Sequence, residues 1–178
     1  MLAVDASHLD RLPEGEFVTA MAPLFEGAPR FLARLAAARP FGSTDRLFDQ
    51  ALAIALAMPD DEQRELIDAH PRLGVPPGSV SALSYVEQGY DREAAGAAAE
   101  AERERVAAEL ARLNEAYELR FGFRYCVFVA GRPRAALVPA LAAALLADPD
   151  AERRRALADV VAIAQDRYRS LSGTEVSP

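Results

Sequence analysis

The sequence is poor in the residues that bind metals or form cross-links. Its 178 residues include one cysteine, Cys126, so a disulfide within the chain and a cysteine-based metal cluster are both excluded. The two histidines, His8 and His70, lie too far apart in sequence to show the spacing of zinc ligands. We therefore expect a protein that binds no metal.

Excess positive charge and long apolar runs are also lacking. The formal net charge of −7 argues against non-specific binding to nucleic-acid phosphates, although a few arginines can still form a positive pocket for a small anion. No charge-free apolar run reaches the length of a membrane span, and the N-terminus does not resemble a signal peptide. We expect no nucleic-acid partner, no membrane partner and a cytoplasmic location.

Alanine and leucine dominate the apolar residues, and this mixture favours helix over sheet. We predict an all-α fold with a single domain over residues 1–178 and flexible termini at 1–8 and 172–178. The domain is an irregular bundle of about seven to nine helices with at most one short extended segment.

Prolines, glycines and capping residues mark the helix ends. The first predicted helix begins near Pro13, the second covers 29–39, and the third lies between Ser43 and Pro59. The fourth is capped by Asp60 or Asp61 and ends by His70. The remaining predicted helices cover about 84–88, 91–120, 133–147 and 150–171. The helix over 91–120 carries the clearest apolar stripe, formed by Val106, Leu110, Leu113 and Tyr117.

Three clusters at helix edges hold the candidate functional residues: HPRLG at 70–74, SYVEQ at 84–88 and FGFRYCV at 121–127. His70 ends a helix, where the field of the last carbonyls favours imidazolium and raises the pKa. Such a histidine can donate a proton or bind a carboxylate. Considered alone, it more often only caps the helix.

The other two clusters also have structural explanations. Ser84 and Glu87 have the spacing of a capping box, which competes with a role as hydrogen-bonding groups in a pocket. The 123–129 segment alone has the composition of a short buried strand. Cys126 is expected to be a small buried hydrophobe, and His8 to be solvent-exposed near the terminus.

Taken together, the motifs resemble one family. AHPRLG at 69–74, SYVEQ at 84–88, LNEAYELRFGF at 113–123 and IAQDRY at 163–168 are similar, in this order, to the 2-oxo-4-hydroxy-4-carboxy-5-ureidoimidazoline (OHCU) decarboxylases. The resemblance extends over about 9–171. It implies a helical, often homodimeric enzyme that uses no cofactor and converts this small anionic ureidoimidazoline to (S)-allantoin in urate breakdown.

The resemblance also implies residue roles. His70 is the essential acid–base residue and Glu87 the second essential polar group, while Arg167 is considered for the substrate carboxylate. The substrate-binding set comprises Pro71, Ser84, Tyr85, Val86, Gln88, Phe123, Arg124, Tyr125, Cys126, Val127 and Arg167. The chain departs from the family where a tryptophan is common, since it has Arg30 there and no Trp, and at Arg124-Tyr125, where family members often read Pro-Phe.

Two other functions remain open from the sequence. One is a family relative that acts on a different ureido or imidazoline acid, and the other is a non-catalytic helical interaction module. Geometry discriminates between them, because an enzyme needs His70, Glu87 and Gln88 at one concave pocket. A module instead needs an exposed apolar patch.

Overall fold

The computed structural model describes residues 6–92 and 97–173, and within these ranges the chain forms nine α-helices and no strand. The helices are α1 (Ala6–Leu9), α2 (Glu14–Met21), α3 (Pro29–Ala37), α4 (Thr44–Ala57), α5 (Asp60–Asp68), α6 (Ala82–Glu87), α7 (Ala97–Phe121), α8 (Arg134–Ala144) and α9 (Pro149–Gly173). Short 3₁₀ turns cover Ala22–Phe25, Pro77–Ser79 and Tyr90–Arg92. The all-α prediction is confirmed.

Most helix ends follow the predicted signals. Pro13 precedes α2, and the Ser43 hydroxyl caps α4 by accepting the Arg46 N–H at 3.3 Å. The N-cap of α5 is Pro59, so the prediction that Asp60 or Asp61 is the cap is wrong; both carboxylates lie in the first helical turn instead. There they favour the helix through its dipole.

Three predictions about segment ends have different outcomes. Residues 6–8, expected to be part of a flexible terminus, belong to α1, in which Ala6 and Leu9 are buried. The predicted helix over 91–120 corresponds to α7, which the structure describes from Ala97, whereas 93–96 lie outside the described residues. The predicted flexibility of 1–5 and 174–178 also concerns residues outside the described part of the chain.

The chain forms two compact units. The first comprises the residues up to Ala69 and those from Leu157 onward, and the second comprises His70–Ala156. Helix α9 therefore contributes its first turns to the second unit and its remainder to the first. A single domain over the whole chain stays a prediction.

The first unit has an aromatic and alanine-rich core. The rings of Phe25 and Phe31 lie 4.7 Å apart between centroids, and both side chains are buried. In α4 the buried face is formed by Leu47, Phe48, Ala51 and Ala55. Leu56 lies outside this buried face and is 41% exposed.

Ion pairs join α3 to α5 at the surface of the first unit. Arg30 bonds to both Asp61 and Glu65, and Arg34 pairs with Glu62 at 2.6 Å. The hydrogen bonds from Arg34 lower the pKa of the Glu62 carboxyl below its usual range. Arg30, the residue at the family's tryptophan position, thus serves a structural contact between two helices.

The second unit is centred on α7. Its predicted stripe is confirmed, because Val106, Leu110, Leu113 and Tyr117 are all buried. Helix α8 packs against α7, contributes the fully buried Leu137 and Leu141, and contains Pro139. In the described ranges, no helix combines the length and apolar composition needed to cross a membrane.

Candidate active site

His70 follows the end of α5 directly. The helix ends at Asp68 with Ala69 as its C-cap, and Pro71 prevents the helix from continuing. The His70 side chain is 4% exposed, and its Nε2 atom is shielded from solvent. Its main-chain carbonyl accepts a hydrogen bond from Arg124 Nη1 at 3.2 Å. The candidate acid–base residue is therefore buried, and its backbone is held by the third motif.

Helix α6 carries the SYVEQ motif, but Ser84 is not its N-cap. Ser81 has that role, because its hydroxyl accepts the Ser84 N–H at 3.2 Å. The capping box, which the sequence left open as the structural alternative for Ser84 and Glu87, is therefore not formed, since Ser84 already lies in the first turn of the helix. Ser84 is 3% exposed and Glu87 is half-buried at the last helical position.

Gln88 joins the end of α6 to the loop after His70. Its Oε1 accepts the Gly74 N–H at 2.8 Å, and its Nε2 donates to the Arg72 carbonyl at 3.3 Å. The Tyr90 hydroxyl lies 3.3 Å from the same Oε1 and also bonds to the Val75 carbonyl. Because Gln88 is buried, these bonds fix the loop and the helix end as one block.

The FGFRYCV segment begins at Phe121, the last residue of α7, and its remaining residues form neither helix nor strand. Gly122 ends α7 with φ of +74°, a conformation that glycine adopts without strain. The rings of Phe123 and Tyr125 pack edge-on against Tyr117, at centroid distances of 5.7 and 5.1 Å. The expectation of a buried segment is right for Phe123, Tyr125 and Cys126, whereas the expected strand is absent.

A buried polar cluster supports this segment, and sequence analysis missed it. Glu152 Oε1 accepts the Tyr117 hydroxyl at 2.8 Å and the Nε and Nη2 groups of Arg155 at 2.9 and 2.6 Å. Arg155 Nη1 donates to the Cys126 carbonyl at 3.0 Å. Burial, followed by the bond to Glu152, raises the pKa of Tyr117, so this hydroxyl stays a donor. The sequence signal was only a Glu-x-x-Arg pair, which is ordinary on helices.

The remaining predicted substrate contacts differ in exposure. Tyr85 is 37% exposed and Val86 51% exposed, while Pro71 and Val127 are half-buried. The Tyr85 ring packs against Tyr90 at 5.4 Å between centroids. Tyr85 and Val86 thus lie on the outer side of α6, whereas Ser84 and Gln88 lie on its inner side.

Arg167 belongs to the first unit. Its guanidinium is buried, forms an ion pair with Glu26 at 2.8 Å and donates to the Pro23 carbonyl at 2.9 Å. These bonds hold the 3₁₀ turn after α2 against α9. Binding of a substrate carboxylate by Arg167 stays a prediction.

Within the second unit the structure brings the three motifs together. Arg124 links the third motif to His70, and Gln88 links the second motif to the loop at Arg72–Gly74. A cavity of about 850 Å³ borders this loop, with Tyr90, Asn114 and Arg134 also in its lining; neither His70 nor Glu87 lines it. The convergence of His70, Glu87 and Gln88 on one pocket stays a prediction.

Comparison with known proteins agrees with this arrangement of motifs. The family model for OHCU decarboxylase matches residues 10–169. The chain belongs to the OHCU decarboxylase family. All three motifs lie within the matched range, so the family's sequence pattern and the hydrogen-bonded block of the second unit concern the same residues.

Matches to several relatives span nearly the whole chain. The OHCU decarboxylase of Mus musculus is 29% identical over 173 residues, which cover 96% of this chain and 94% of the relative. That of Haloferax volcanii is 28% identical, with 94% and 95% covered. A uric acid degradation bifunctional protein of Bacillus subtilis is 31% identical, but the match covers 32% of its longer chain.

Solved structures agree in fold. An OHCU decarboxylase crystallised in the presence of (S)-allantoin has a TM-score of 0.65 and 21% identity, with 86% of this chain and 97% of that chain covered. A crystal structure of an (S)-allantoin synthase has a TM-score of 0.62 and 23% identity, with 94% and 54% covered. At this identity the likeness concerns the fold of OHCU decarboxylases alone.

Proposed function

We propose that this protein is an OHCU decarboxylase, a carboxy-lyase that forms (S)-allantoin during urate breakdown. The observation that carries the proposal is the family match over residues 10–169. The hydrogen bonds that join the His70 loop, α6 and the 123–127 segment support it, because they hold the motif residues of one family in a single block.

The substrate needs little chemical help to lose carbon dioxide. Its carboxylate and hydroxyl share one ring carbon beside a C=N bond, so the electron pair released with CO₂ flows into that bond. The two ring carbons become joined by a double bond, and the nitrogen of the former C=N bond takes up a proton. The hydroxyl then loses its proton as its carbon becomes a carbonyl, and the neighbouring ring carbon takes up a proton on one face. The protein must therefore orient the carboxylate out of the ring plane and deliver a proton, tasks that need no electron-accepting cofactor.

We assign proton transfer to His70. We assign to Glu87 a hydrogen bond with either the substrate hydroxyl or the His70 side chain. Burial of His70 supports the first assignment, since a shielded imidazole transfers a proton without competition from water. The N-cap role of Ser81 supports the second, because the start of α6 is capped without Glu87.

The other motif residues would bind the ring and the ureido group. Main-chain groups of Phe123 to Val127 supply donors and acceptors, and Pro71 and Ser84 border the same block. The bonds of Gln88 to Arg72 and Gly74 support a second role for its amide, which is to hold the loop after His70. Arg167 is assigned to the substrate carboxylate through the resemblance alone.

The two alternative functions lack a supporting observation. Arg30 differs from the tryptophan common in the family, but its side chain bonds to Asp61 and Glu65, so it gives no support for a different substrate. Among the described residues, Leu119 and Leu146 are the most exposed large apolar side chains, and two leucines present less apolar area than the patch that an interaction module needs. Homodimeric assembly is included in the proposal on the family resemblance, and a cytoplasmic location on the sequence pattern. Light scattering of the purified protein tests the assembly.

The decisive experiment supplies freshly made substrate. Urate, urate oxidase and hydroxyisourate hydrolase generate OHCU in the cuvette, and the optical activity of (S)-allantoin reports the reaction. Wild-type protein should produce the signal, and H70N and E87Q should each lower the rate by about 10²-fold or more if they remove general acid–base catalysis. H8N is the matched control, because His8 is the exposed second histidine.

If wild-type protein produces no optical activity from OHCU, the proposed function is contradicted. A folded H70N variant with the wild-type rate would show instead that the acid–base residue is another one. The double variant H70N/E87Q should be little slower than the worse single variant, because residues that act as a unit are not additive.

A further inference from the structure

We propose that Arg155 is a positioning residue that fixes the peptide between Cys126 and Val127, so that the Val127 N–H is presented to the substrate. This inference rests on the proposed function, in which main-chain groups of 123–127 bind the ring. Arg155 lies on α9 and is not part of any motif that the sequence singled out.

The guanidinium of Arg155 is held on three sides. Nη1 donates to the Cys126 carbonyl at 3.0 Å, whereas Nε and Nη2 donate to Glu152 Oε1 at 2.9 and 2.6 Å. The Tyr125 ring lies under the guanidinium plane, 5.0 Å from Cζ to the ring centroid. Such a planar fork, bonded at two edges and stacked on an aromatic face, has little freedom to rotate.

Glu152 anchors the arginine from the interior of the second unit. Its side chain is 4% exposed, and its Oε1 also accepts the Tyr117 hydroxyl at 2.8 Å. Tyr117 is fully buried on α7. A rigid helix therefore sets the position of Oε1, which sets the position of Arg155, which sets the direction of the Cys126 carbonyl.

The direction of this carbonyl decides where the next N–H points. In a planar trans peptide the C=O and N–H groups point in opposite directions, so the bond to Arg155 turns the Val127 N–H away from α9. In a strand the neighbouring ladder would fix this orientation, but the 124–129 segment has no strand partner in the described structure. Arg155 takes the place of that ladder at the position where the proposed site needs a fixed main-chain donor.

The test replaces the planar guanidinium of Arg155 by the single ammonium group of lysine. R155K keeps the positive charge, but one ammonium cannot bond to Glu152 and the Cys126 carbonyl in the same planar geometry. We expect KM for OHCU to rise about tenfold with kcat within about twofold of wild type, since a ring contact formed equally in ground and transition states changes KM alone. R153K is the matched control, because Arg153 forms an ion pair with Asp150 on the same helix at the same i, i+3 spacing.

Amide NMR separates this inference from the proposed function. The Val127 ¹⁵N–¹H resonance should move in R155K and stay in place in R153K, whether or not the protein decarboxylates OHCU. In wild-type protein the same resonance should shift on titration with (S)-allantoin. An unmoved Val127 resonance in R155K, or a wild-type KM for that variant, would overturn the positioning role. If R155K does not fold, the allantoin titration of the wild type decides, and an unshifted Val127 amide counts against the inference.

Discussion

Gly74 is the residue of the His70 loop that leaves least room for a side chain. Its φ of +80° lies in the left-handed region, and a Cβ built on it would lie 2.7 Å from Leu110 Cδ1. Its N–H also donates to Gln88, so a shift of the backbone would break the bond that joins the loop to α6. Backbone conformation and close packing thus both select glycine here, and the hydrogen bond limits how far the backbone can shift to admit another residue.

We predict that G74A is more destabilising than G131A. Gly131 has a similar φ of +72°, but a Cβ added there would meet nothing within 4 Å, so G131A incurs only the left-handed penalty of about 1 kcal/mol. G74A adds about 1–3 kcal/mol of overpacking against Leu110. Urea unfolding measures both, and G74A alone should lower the decarboxylation rate. Equal losses in the two variants would show that Leu110 moves aside without cost.

Helix α6 is short, so its start matters more than its composition. It has six residues, and isolated helices of that length do not persist in water. Its cap, Ser81, lies outside the SYVEQ motif, and this leaves the whole motif inside the helix or at its end. The positions of Ser84, Glu87 and Gln88 therefore depend on a residue that the family resemblance did not single out.

We expect S81A to loosen α6 without changing the motif. Loss of a serine N-cap costs about 1 kcal/mol, and aspartate is an equally good cap. Hydrogen exchange of the Ser84 amide should accelerate in S81A and stay slow in S81D. If S81A leaves this exchange rate unchanged, tertiary contacts of Ser84 and Gln88 hold the helix, and the cap contributes nothing.

For the whole molecule, the two compact units are built differently. The first gathers five helices and the later part of α9 around aromatic and alanine side chains, whereas the second surrounds α7 with short helices and loops. The three motifs fall at or after His70, in the second unit, and the considered Arg167 falls in the first. The unit with more irregular backbone is the one that carries the main-chain groups and the acid–base candidates.

Metal removal tests the expectation that the reaction needs no metal ion. Over the described ranges, no three side chains of His, Cys, Asp or Glu form a group that could hold a metal ion. We predict that dialysis against EDTA leaves both the rate of (S)-allantoin formation and the thermal unfolding midpoint unchanged. Activity that is lost in EDTA and restored by one specific metal would overturn the mechanism proposed for His70.

The features of the site that could be predicted from the sequence are those set by neighbouring residues in the chain. The end of α5 before His70 followed from Pro71, and the end of α7 followed from Gly122, because these residues act on their own backbone. The capping box failed because Ser81 and Ser84 both precede possible first turns, and the sequence contains no local signal that selects between them. The 123–129 segment failed as a strand because a strand needs a partner, which local composition does not supply.

By itself, the sequence determined the all-helical class, most helix ends and the family, since helix propensity, proline and motif order are properties of neighbouring residues. Only the tertiary structure decided which groups meet. Arg124 reaches His70 across 54 positions, and Glu152 accepts bonds from Tyr117 and Arg155 in one buried cluster. Such pairings depend on how α7, α9 and the loops pack, and no spacing along the chain encodes the distance between side chains that folding brings together.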